Sequence, residues 1–467
     1  MNIKKIIALS LVAGILGMNY APLAAYSLSD KIEVKTEKKL SRKEKKALET
    51  KAAKLGYINI DWWESYNDEY LKDYILKALS NNPDMKLATL KVEEARQAAK
   101  LQQSKELPQF AVGAAPALLK LPNQTKSTGA FAIPMIASYE ADIFLKNHDK
   151  TKSVKKLYEA SQYQEQAVYI AVASQVGATY YNLVVLDKII ELQEEIVNDR
   201  KQIFDLMKIS NEEGIVSTSD LVRAEKAYIL STSDMVELKK AREVMLNSLC
   251  VLIGENPANS GGLKRISYDD IVPLKAVPAS IPSETITNRP DYLVAQKMLE
   301  KSGIDVRVAK KEFLPTIDIL GLLSFATTSM AKSMNWETAV AGVGGQVMLP
   351  LFTGGAKVAN LKINKNRYEQ ALVNYQKTNL TAIQEVNDSL SNLKLDNEKY
   401  DKNLKTLDME AKDFGFTEEK YKEGVISKLD LLQRKETLLV TQKLVASSKA
   451  ECIVNQISLY KALAGKV

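Results

Sequence analysis

The fold is decided by the stretch at residues 357–423, which reads KVANLKINKNRYEQALVNYQKTNLTAIQEVNDSLSNLKLDNEKYDKNLKTLDMEAKDFGFTEEKYKE. It contains no proline, and Gly415 is its only glycine, so the sequence predicts one continuous helix through most of it. At about 1.5 Å per residue, such a helix is about 90–100 Å long, which is several times the width of an ordinary domain.

Apolar residues in this stretch recur mostly at steps of three to five, with Lys, Asn, Gln and Glu between them. The pattern predicts a stripe that packs on neighbouring helices in water. No uncharged apolar run within it approaches the roughly 20 residues that a bilayer crossing needs, so no transmembrane helix is predicted here. The stripe comprises Val358, Leu361, Ile363, Tyr368, Leu372, Tyr375, Leu380, Ile383, Val386, Leu390 and Leu393.

The chain carries this design twice. Residues 147–210 form a second proline-free run, in which Gly177 is the only glycine. Landmarks recur in the same order at a nearly constant spacing, which predicts a duplicated unit of about 200 residues. The matched landmarks are Asn82-Pro83-Asp84 with Arg289-Pro290-Asp291, Leu107-Pro108 with Leu314-Pro315, Phe144 with Phe352, Tyr158-Glu159 with Tyr368-Glu369, and Gly214 and Asp220-Leu221 with Gly424 and Asp430-Leu431.

The composition excludes several classes of protein. Charged residues make up 26% of the 467 residues and the mean hydropathy is −0.18, which argues against a polytopic helical membrane protein. The net charge of +7 is modest and Lys alternates with Glu, so no nucleic-acid partner is expected. His148 is the only histidine, and the sequence has no Cys/His metal spacing, phosphate loop or nucleophile elbow. We therefore expect no enzyme, no cofactor and no metal site.

The start of the chain is typical of an exported protein. Residues 1–25 contain Lys4 and Lys5, an apolar run over residues 6–18 and the small residues Ala24 and Ala25, which predicts a cleavable signal peptide. A short membrane anchor is the alternative, but the apolar run is shorter than the roughly 18 residues that an anchor needs. Residues 26–60 are rich in Lys, Glu and Ser, and are predicted to form an extended N-terminal arm.

Each repeat contains one segment with little charge, at about residues 109–144 and 316–352, that is predicted to form a β-hairpin. The four strands, each of roughly 12–15 residues, are long enough to cross a bilayer at a tilt, where about 9–11 residues suffice. Four strands cannot close a membrane barrel, so the barrel must be shared between chains. Two hairpins of a soluble sandwich are the alternative, which does not explain why each hairpin leads into a very long helix.

Apolar residues recur at every second position in these strands, and this period assigns each residue to one of the two faces. Apolar and polar residues alternate, and the polar face becomes more polar toward the end of the run at 130–144. Trp336 and Tyr139 occupy positions expected for interfacial aromatic residues. The residues predicted to face lipid are Phe131, Ile133, Tyr139, Ile319, Phe325 and Val347. The residues predicted to face the lumen are Asp142, Asp318 and Gln346.

A shared turn motif, G-x-x-S-x-x-D-L, follows each long helix at residues 214–221 and 424–431. The glycine permits a positive φ, the serine can cap the returning helix, and the aspartate faces its positive end. The motif predicts two long helical hairpins, at about residues 147–254 and 357–464. Turn chemistry alone accounts for every residue of the motif, and a functional role for Asp220 and Asp430 is the alternative.

The predicted domains follow from these elements. The first repeat covers residues 61–256, a linker rich in Pro, Gly and Ser covers residues 257–283, and the second repeat covers residues 284–467. Cys250 and Cys452 are predicted to be buried free thiols, and a disulfide between the repeats is the alternative.

The chain from residue 61 to its end resembles the TolC-like outer-membrane efflux channels, in particular those that serve tripartite pumps of the RND type. The motifs that carry the resemblance are W-W-x-x-[FY]-N-D at 62–68, A-L-x-N-N-P-D at 78–84, E-A-R at 94–96, L-P-x-[ILF] in both repeats, L-F-x-G-G at 351–355, Y-x-x-G-x-x-S-x-x-D-L-L at 421–432 and L-Y-K-A-L-[AG]-G at 459–465.

The resemblance implies a mainly α-helical homotrimer in the Gram-negative outer membrane. Four strands from each chain would form a 12-stranded β-barrel, and the helical hairpins would form an α-barrel through the periplasm. The expected partners are outer-membrane lipid, a periplasmic adaptor protein and an inner-membrane pump. The resemblance also implies a periplasmic tip or gate formed by Gly214, Asp220, Tyr421, Gly424 and Asp430.

Three features depart from the family's pattern. Many relatives carry an N-terminal Cys for lipidation, and none is present here. Ile426 and Gln433 stand where relatives often have a basic residue and a second acid.

The function expected is a passive duct that expels small molecules such as drugs or toxic compounds. The alternatives are the channel of type I protein secretion and, in a different class, a secreted coiled-coil structural or adaptor protein without a pore.

Overall fold

The computed structural model describes residues 62–119, 128–271, 284–327 and 336–464. The predicted signal peptide and N-terminal arm lie outside the described residues, as do the tips of both hairpins and residues 272–283 of the linker.

Helices dominate the described residues. They are α1 (Glu69–Asn81), α2 (Pro83–Ser104), α3 (Lys146–Glu212), α4 (Thr218–Leu252), α5 (Glu284–Thr287), α6 (Pro290–Lys311), α7 (Ala356–Lys422) and α8 (Lys428–Ala462). The strands are β1 (Gln109–Val112), β2 (Ala115–Leu119), β3 (Thr128–Glu140), β4 (Thr316–Thr327) and β5 (Ala339–Met348). Short 3-10 turns lie at Trp62–Tyr66, Pro257–Gly262, Tyr268–Asp270 and Trp336–Thr338. Both predicted hairpins of long helices are confirmed, because α3 and α7 each run for 67 residues and each is followed by a 35-residue helix.

The chain divides into two compact units. The strand unit contains the described parts of Glu93–Ala160 and Gln296–Asn374. The helical unit contains the described parts of Lys39–Val92, Ser161–Ala295 and Tyr375–Val467.

The helical unit begins with the cap that the sequence predicts. The carboxylate of Asp68 accepts hydrogen bonds from the backbone N–H groups of Tyr70 and Leu71, at 2.9 and 3.0 Å, and so satisfies two amides that the first turn of α1 leaves unpaired. Leu71 and Ile75 on α1 are fully buried. The helix ends at Asn81, where Asn82 is extended and Pro83 starts α2.

The two repeats use equivalent contacts to tie down the last helix of each half. The Asn82 side-chain amide donates to the backbone oxygen of Leu252 at the end of α4, at 2.9 Å. Its counterpart Arg289 donates to the backbone oxygen of Ala462 at the end of α8, also at 2.9 Å. Different side chains thus satisfy the same class of orphan helix carbonyl at matching positions. This pair of contacts supports the predicted duplication.

The core of the helical unit is built from aromatic and branched side chains. Tyr180, Tyr181 and Leu183 on α3 are fully buried in one cluster with Trp62 and Trp63, in which the Tyr180 ring contacts Tyr74 and the Tyr181 ring contacts Tyr66. Among the described residues, α3 is the one helix that is long and apolar enough to cross a membrane by composition, and 67% of its apolar window is buried. That burial is typical of a core helix in water.

The strand unit contains one antiparallel sheet. Its strand order is β1-β3-β4-β5, and β2 also pairs with β3. The two predicted hairpins therefore join through β3 and β4, with Ile133 opposite Phe325 and Tyr139 opposite Ile319. The strands end at Glu140 and Met348, somewhat earlier than the predicted segments.

The first strand of the first hairpin is interrupted at residues 113–114, and the pairing register with β3 is the same on both sides of the gap. Pro134 explains the gap. Its backbone oxygen accepts the N–H of Gly113 at 2.9 Å, but proline has no N–H to donate in return.

Both cysteines are free and buried. The prediction of free thiols is therefore confirmed, and the alternative of a disulfide between the repeats is wrong.

Candidate functional site

One face of the sheet carries no charged side chain among the described residues. Directly opposed residues of antiparallel strands share a face, so the pairing register assigns every strand residue to one side. We call this side the apolar face. It comprises Phe110, Val112, Pro116, Leu118, Gly129, Phe131, Ile133, Met135, Ala137, Tyr139, Ile317, Ile319, Gly321, Leu323, Phe325, Thr327, Ala339, Ala341, Val343, Gly345 and Val347.

The six residues predicted to face lipid all lie on the apolar face. Several of its side chains are open to the surroundings, with Phe110 81% and Val343 84% exposed. At the hairpin-tip end, Trp336 packs edge-on against Phe325 with ring centroids 5.5 Å apart. The structure shows that these residues share a side, and the contact of that side with lipid stays a prediction.

The opposite face of the sheet is polar at the end where the strands meet the helices. Glu140, Asp318 and Gln346 form one row across β3, β4 and β5. The Glu140 carboxylate forms an ion pair with Lys146 in the first turn of α3, at 2.6 Å. Two residues predicted to face the lumen, Asp318 and Gln346, thus lie on the face opposite to the apolar one.

Asp142 is a correction to the sequence prediction, because it does not belong to a strand. It lies two residues after the end of β3. Its carboxylate accepts the backbone N–H of His148 at 2.8 Å, in the first turn of α3. A short acid beside unpaired helix amides stabilises the start of the helix, so the polar residue at 142 serves the helix and not a face of the strand.

Two edges of the sheet have no strand partner among the described residues. One is the outer side of β1 and β2, and the other is the outer side of β5. Each edge presents a row of backbone N–H and C=O groups that are available for pairing with another strand.

The turns between the long helices have the same geometry in both repeats. Gly214 and Gly424 adopt φ of 71° and 73°, the left-handed conformation that favours glycine. The following residue then donates its backbone N–H to a carbonyl in the last turn of the helix, at 2.8 Å from Ile215 and 2.9 Å from Val425. This pattern closes the C-terminal ends of α3 and α7. Tyr421, the fifth predicted tip residue, accepts the Gly424 N–H on its backbone oxygen at 3.0 Å.

The serine and aspartate of the shared motif form the cap of each returning helix. The Ser217 and Ser427 hydroxyl oxygens accept the N–H groups of Asp220 and Asp430, at 3.2 Å in both cases. The Asp430 carboxylate also accepts the Ser427 N–H at 3.1 Å, which completes a capping box. Hydrogen bonds from the Ser427 hydroxyl and amide hold the pKa of Asp430 below its usual value.

The two aspartates differ in their neighbours. Arg223 lies 3.1 Å from the Asp220 carboxylate. Gln433 occupies the corresponding position one turn after Asp430 and carries no charge. The two turns therefore place a cation differently, at Arg223 after Asp220 and at Lys428 before Asp430. Both turns expose apolar side chains, with Ile215 76% and Val425 66% exposed.

A row of charged residues that sequence reasoning missed connects the two hairpins inside the helical unit. Arg200 on α3 pairs with Glu436 on α8 at 2.6 Å and donates to the backbone oxygen of Ala227 on α4 at 2.8 Å. Lys435 pairs with the buried Asp199 at 3.1 Å. Burial raises the pKa of Asp199, and Lys435 opposes that shift by favouring the carboxylate. These pairs join different halves of the chain, so no local spacing could have predicted them.

Comparison with known proteins identifies relatives of the whole chain. The family model described as outer membrane efflux protein matches residues 74–255 and again residues 281–465. The two matches fall on the two repeats, which confirms the duplicated unit.

Individual relatives are similar over most of their length. The toluene efflux pump outer membrane protein TtgC of Pseudomonas putida is 24% identical over 432 residues, which cover 89% of this chain and 87% of that protein. The cation efflux system protein CusC of Escherichia coli is 25% identical over 414 residues, which cover 88% and 90%. The crystal structure of the Campylobacter jejuni CmeC outer membrane channel superposes with a TM-score of 0.79 at 25% identity, covering 88% of each chain. The predicted resemblance and fold class are thereby confirmed.

The assignment of the apolar face generates a first test. Ile133→Arg places a charge on that face. We expect it to lower the free energy of unfolding in the membrane by about 2–4 kcal/mol if the position lies at mid-bilayer. Ile136→Arg is the matched control, because Ile136 lies on the same strand and faces the other side. The amount of assembled protein in the outer membrane and its urea stability in vesicles measure the effect. Equal losses in the two variants would contradict the assigned face.

Proposed function

The chain belongs to the outer membrane efflux protein family, and on that premise we propose that three copies form a passive export duct across the outer membrane and the periplasm. Each copy contributes its sheet to a shared 12-stranded barrel and its long helices to an α-barrel. The duct carries out no catalysis and takes its direction from a pump in the inner membrane.

The unpaired sheet edges are the observation that carries this proposal. The apolar face matches a hydrocarbon environment, yet the backbone groups along the outer sides of β1, β2 and β5 have no strand partner within the described residues. In lipid, each unpaired backbone group costs several kcal/mol, since no water is present to replace the bond. Pairing the β5 edge of one copy with the β1–β2 edge of the next removes both edges, and three copies give a strand number within the observed range of membrane barrels.

The relatives favour one kind of cargo. TtgC and CusC are named as components of efflux systems, for toluene and for cations respectively. We infer that this chain likewise expels small molecules, and that protein secretion is the less supported alternative.

The turns between the long helices fit the periplasmic mouth of such a duct. Three copies would bring six turns together, and with them the carboxylates of Asp220 and Asp430. Arg223 lies beside Asp220 and Lys428 stands two residues before Asp430, so each turn has one cation near its acid and both acids contribute to the potential at the mouth. Carboxylates converging on an aqueous opening concentrate cations there.

The exposed apolar side chains of the turns indicate a docking surface for the adaptor. Ile215 and Val425 lie beside the glycines that shape each turn, and both are exposed in the single chain. Apolar side chains on a projecting turn are better suited to a protein partner than to water. We propose that a helical hairpin of the periplasmic adaptor covers them.

The two acids give a test of the mouth. Each of Asp220→Asn and Asp430→Asn should lower the preference of the channel for K⁺ over Cl⁻, and the double variant should lose most of it. The reversal potential of single channels in a KCl gradient measures this preference. A double variant with the parent's reversal potential would remove both acids from the mouth.

The shape of the turn gives a test of docking. Gly424→Val introduces a β-branched residue at a φ of 73°, which valine rarely adopts. We expect it to impair cross-linking to the adaptor more than trimer formation. Gly415→Val is the matched control, because Gly415 lies inside α7 with no atom near its missing Cβ. If the Gly424 variant cross-links as well as the control, the turn has only a structural role.

A further inference from the structure

All four junctions between strands and helices in the strand unit expose large apolar side chains. They are most exposed between β5 and α7, where Leu351 and Phe352 are 89% and 90% exposed. The junction residues with large exposed apolar side chains are Leu107, Ile143, Phe144, Leu145, Phe313, Leu314, Leu349, Leu351 and Phe352. In water such a set is unfavourable, and it extends the exposed apolar surface of the strand unit past the ends of the strands toward the helices.

The helices next to these junctions carry exposed basic residues. Within about three turns of the sheet, α2, α3, α6 and α7 all contribute to this group, as does the turn after α2. We call the group the basic belt. It consists of Lys100, Lys105, Lys152, Lys155, Lys310, Lys362, Lys365 and Arg367, all exposed.

Most acidic side chains in the same helical turns already form ion pairs or accept hydrogen bonds. Asp149 is buried and pairs with Lys311 at 2.7 Å, and Asp305 accepts from Lys301 at 2.6 Å. Glu312 accepts from the side chain of Asn360 at 2.8 Å. Among the described residues of the strand unit, the exposed acids without such a contact are Glu94 and Glu369, toward the far side of the belt, and Asp318 on β4, on the face opposite to the apolar one. The exposed charge next to the sheet is therefore mainly positive.

A comparison along α7 shows that this arrangement is local. Farther from the strands, Lys402 pairs with Glu398 at 2.6 Å and Lys412 pairs with Asp408 at 2.7 Å. Such pairs one turn apart are the usual state of an exposed helix face in water. The belt residues of the same helix form no ion pair among the described residues. The belt residues of α7 are therefore cations without an acidic partner, next to an exposed apolar surface.

We propose that the basic belt binds the headgroup phosphates of anionic phospholipids in the membrane leaflet on the helix side of the barrel. An apolar sheet face, apolar junctions and then cations repeat the layers of a lipid leaflet from hydrocarbon to headgroup. Each Lys or Arg held near an anionic lipid surface favours binding by roughly fivefold, and the effect weakens within a Debye length. The inference rests on the proposed function, because that function places the sheet in a bilayer.

Lipid selection in vesicles tests this proposal. The full-length protein is reconstituted into phosphatidylcholine vesicles with trace spin-labelled phosphatidylglycerol or spin-labelled phosphatidylcholine, and electron paramagnetic resonance gives the fraction of each label held at the protein. We expect the parent to select phosphatidylglycerol by roughly fivefold or more at low salt, with the selection falling as salt is raised. The triple variant Lys152→Gln, Lys155→Gln, Lys310→Gln should select it by less than about twofold.

A charge-matched control separates location from net charge. Lys208→Gln, Lys226→Gln and Lys405→Gln remove three exposed lysines of the helical unit and should leave the selection unchanged. Flotation and single-channel conductance of the same preparations report insertion independently. An inserted and conducting parent that binds both labels equally overturns the belt and leaves the duct intact, and so does an equal effect of the two triple variants. A chain that enters no vesicle overturns both.

Discussion

Backbone hydrogen bonding in a medium without water is the constraint on which the rest of this structure depends. The sheet of the strand unit has a face without charge, which suits hydrocarbon, and two edges that no described strand covers. A single chain in lipid would leave those edges unpaired at a cost of several kcal/mol per group. On the proposed function, each chain supplies a fraction of a barrel, and assembly with further copies is a condition of its stability in a membrane.

The helical unit solves a different problem, which is to hold very long helices together in water. Its core combines buried aromatic residues such as Tyr180 and Tyr181 with ion pairs between the two hairpins, Arg200 with Glu436 and Lys435 with Asp199. Removing one partner of such a pair leaves a poorly solvated charge, so the pairs specify how the hairpins align. The turns that end the hairpins remain accessible for a partner because their own backbone groups are satisfied internally by the glycine and serine caps.

Much of the fold could be predicted from the sequence because its signals are local and repeated. Proline-free stretches predicted the long helices, and the alternation of apolar and polar residues predicted the faces of the strands. Matched landmarks predicted the two repeats. The predictions failed where the cause is not local. Asp142 continued the alternating pattern but caps a helix, and the gap opposite Pro134 depends on which strand pairs with it. The pairs between hairpins require the three-dimensional arrangement, because residues distant in sequence create them.

Pairing between the free edges of neighbouring copies is the central claim, and disulfide cross-linking in the outer membrane measures it most directly. In a background with Cys250 and Cys452 replaced by Ser, Val112→Cys on β1 is combined in turn with a Cys at Ala341, Val343, Gly345 or Val347 on β5, all on the apolar face. We expect at least one pair to yield covalent dimers and closed trimers after oxidation. If membrane-inserted protein stays monomeric with every pair, the edges do not meet and the account is wrong.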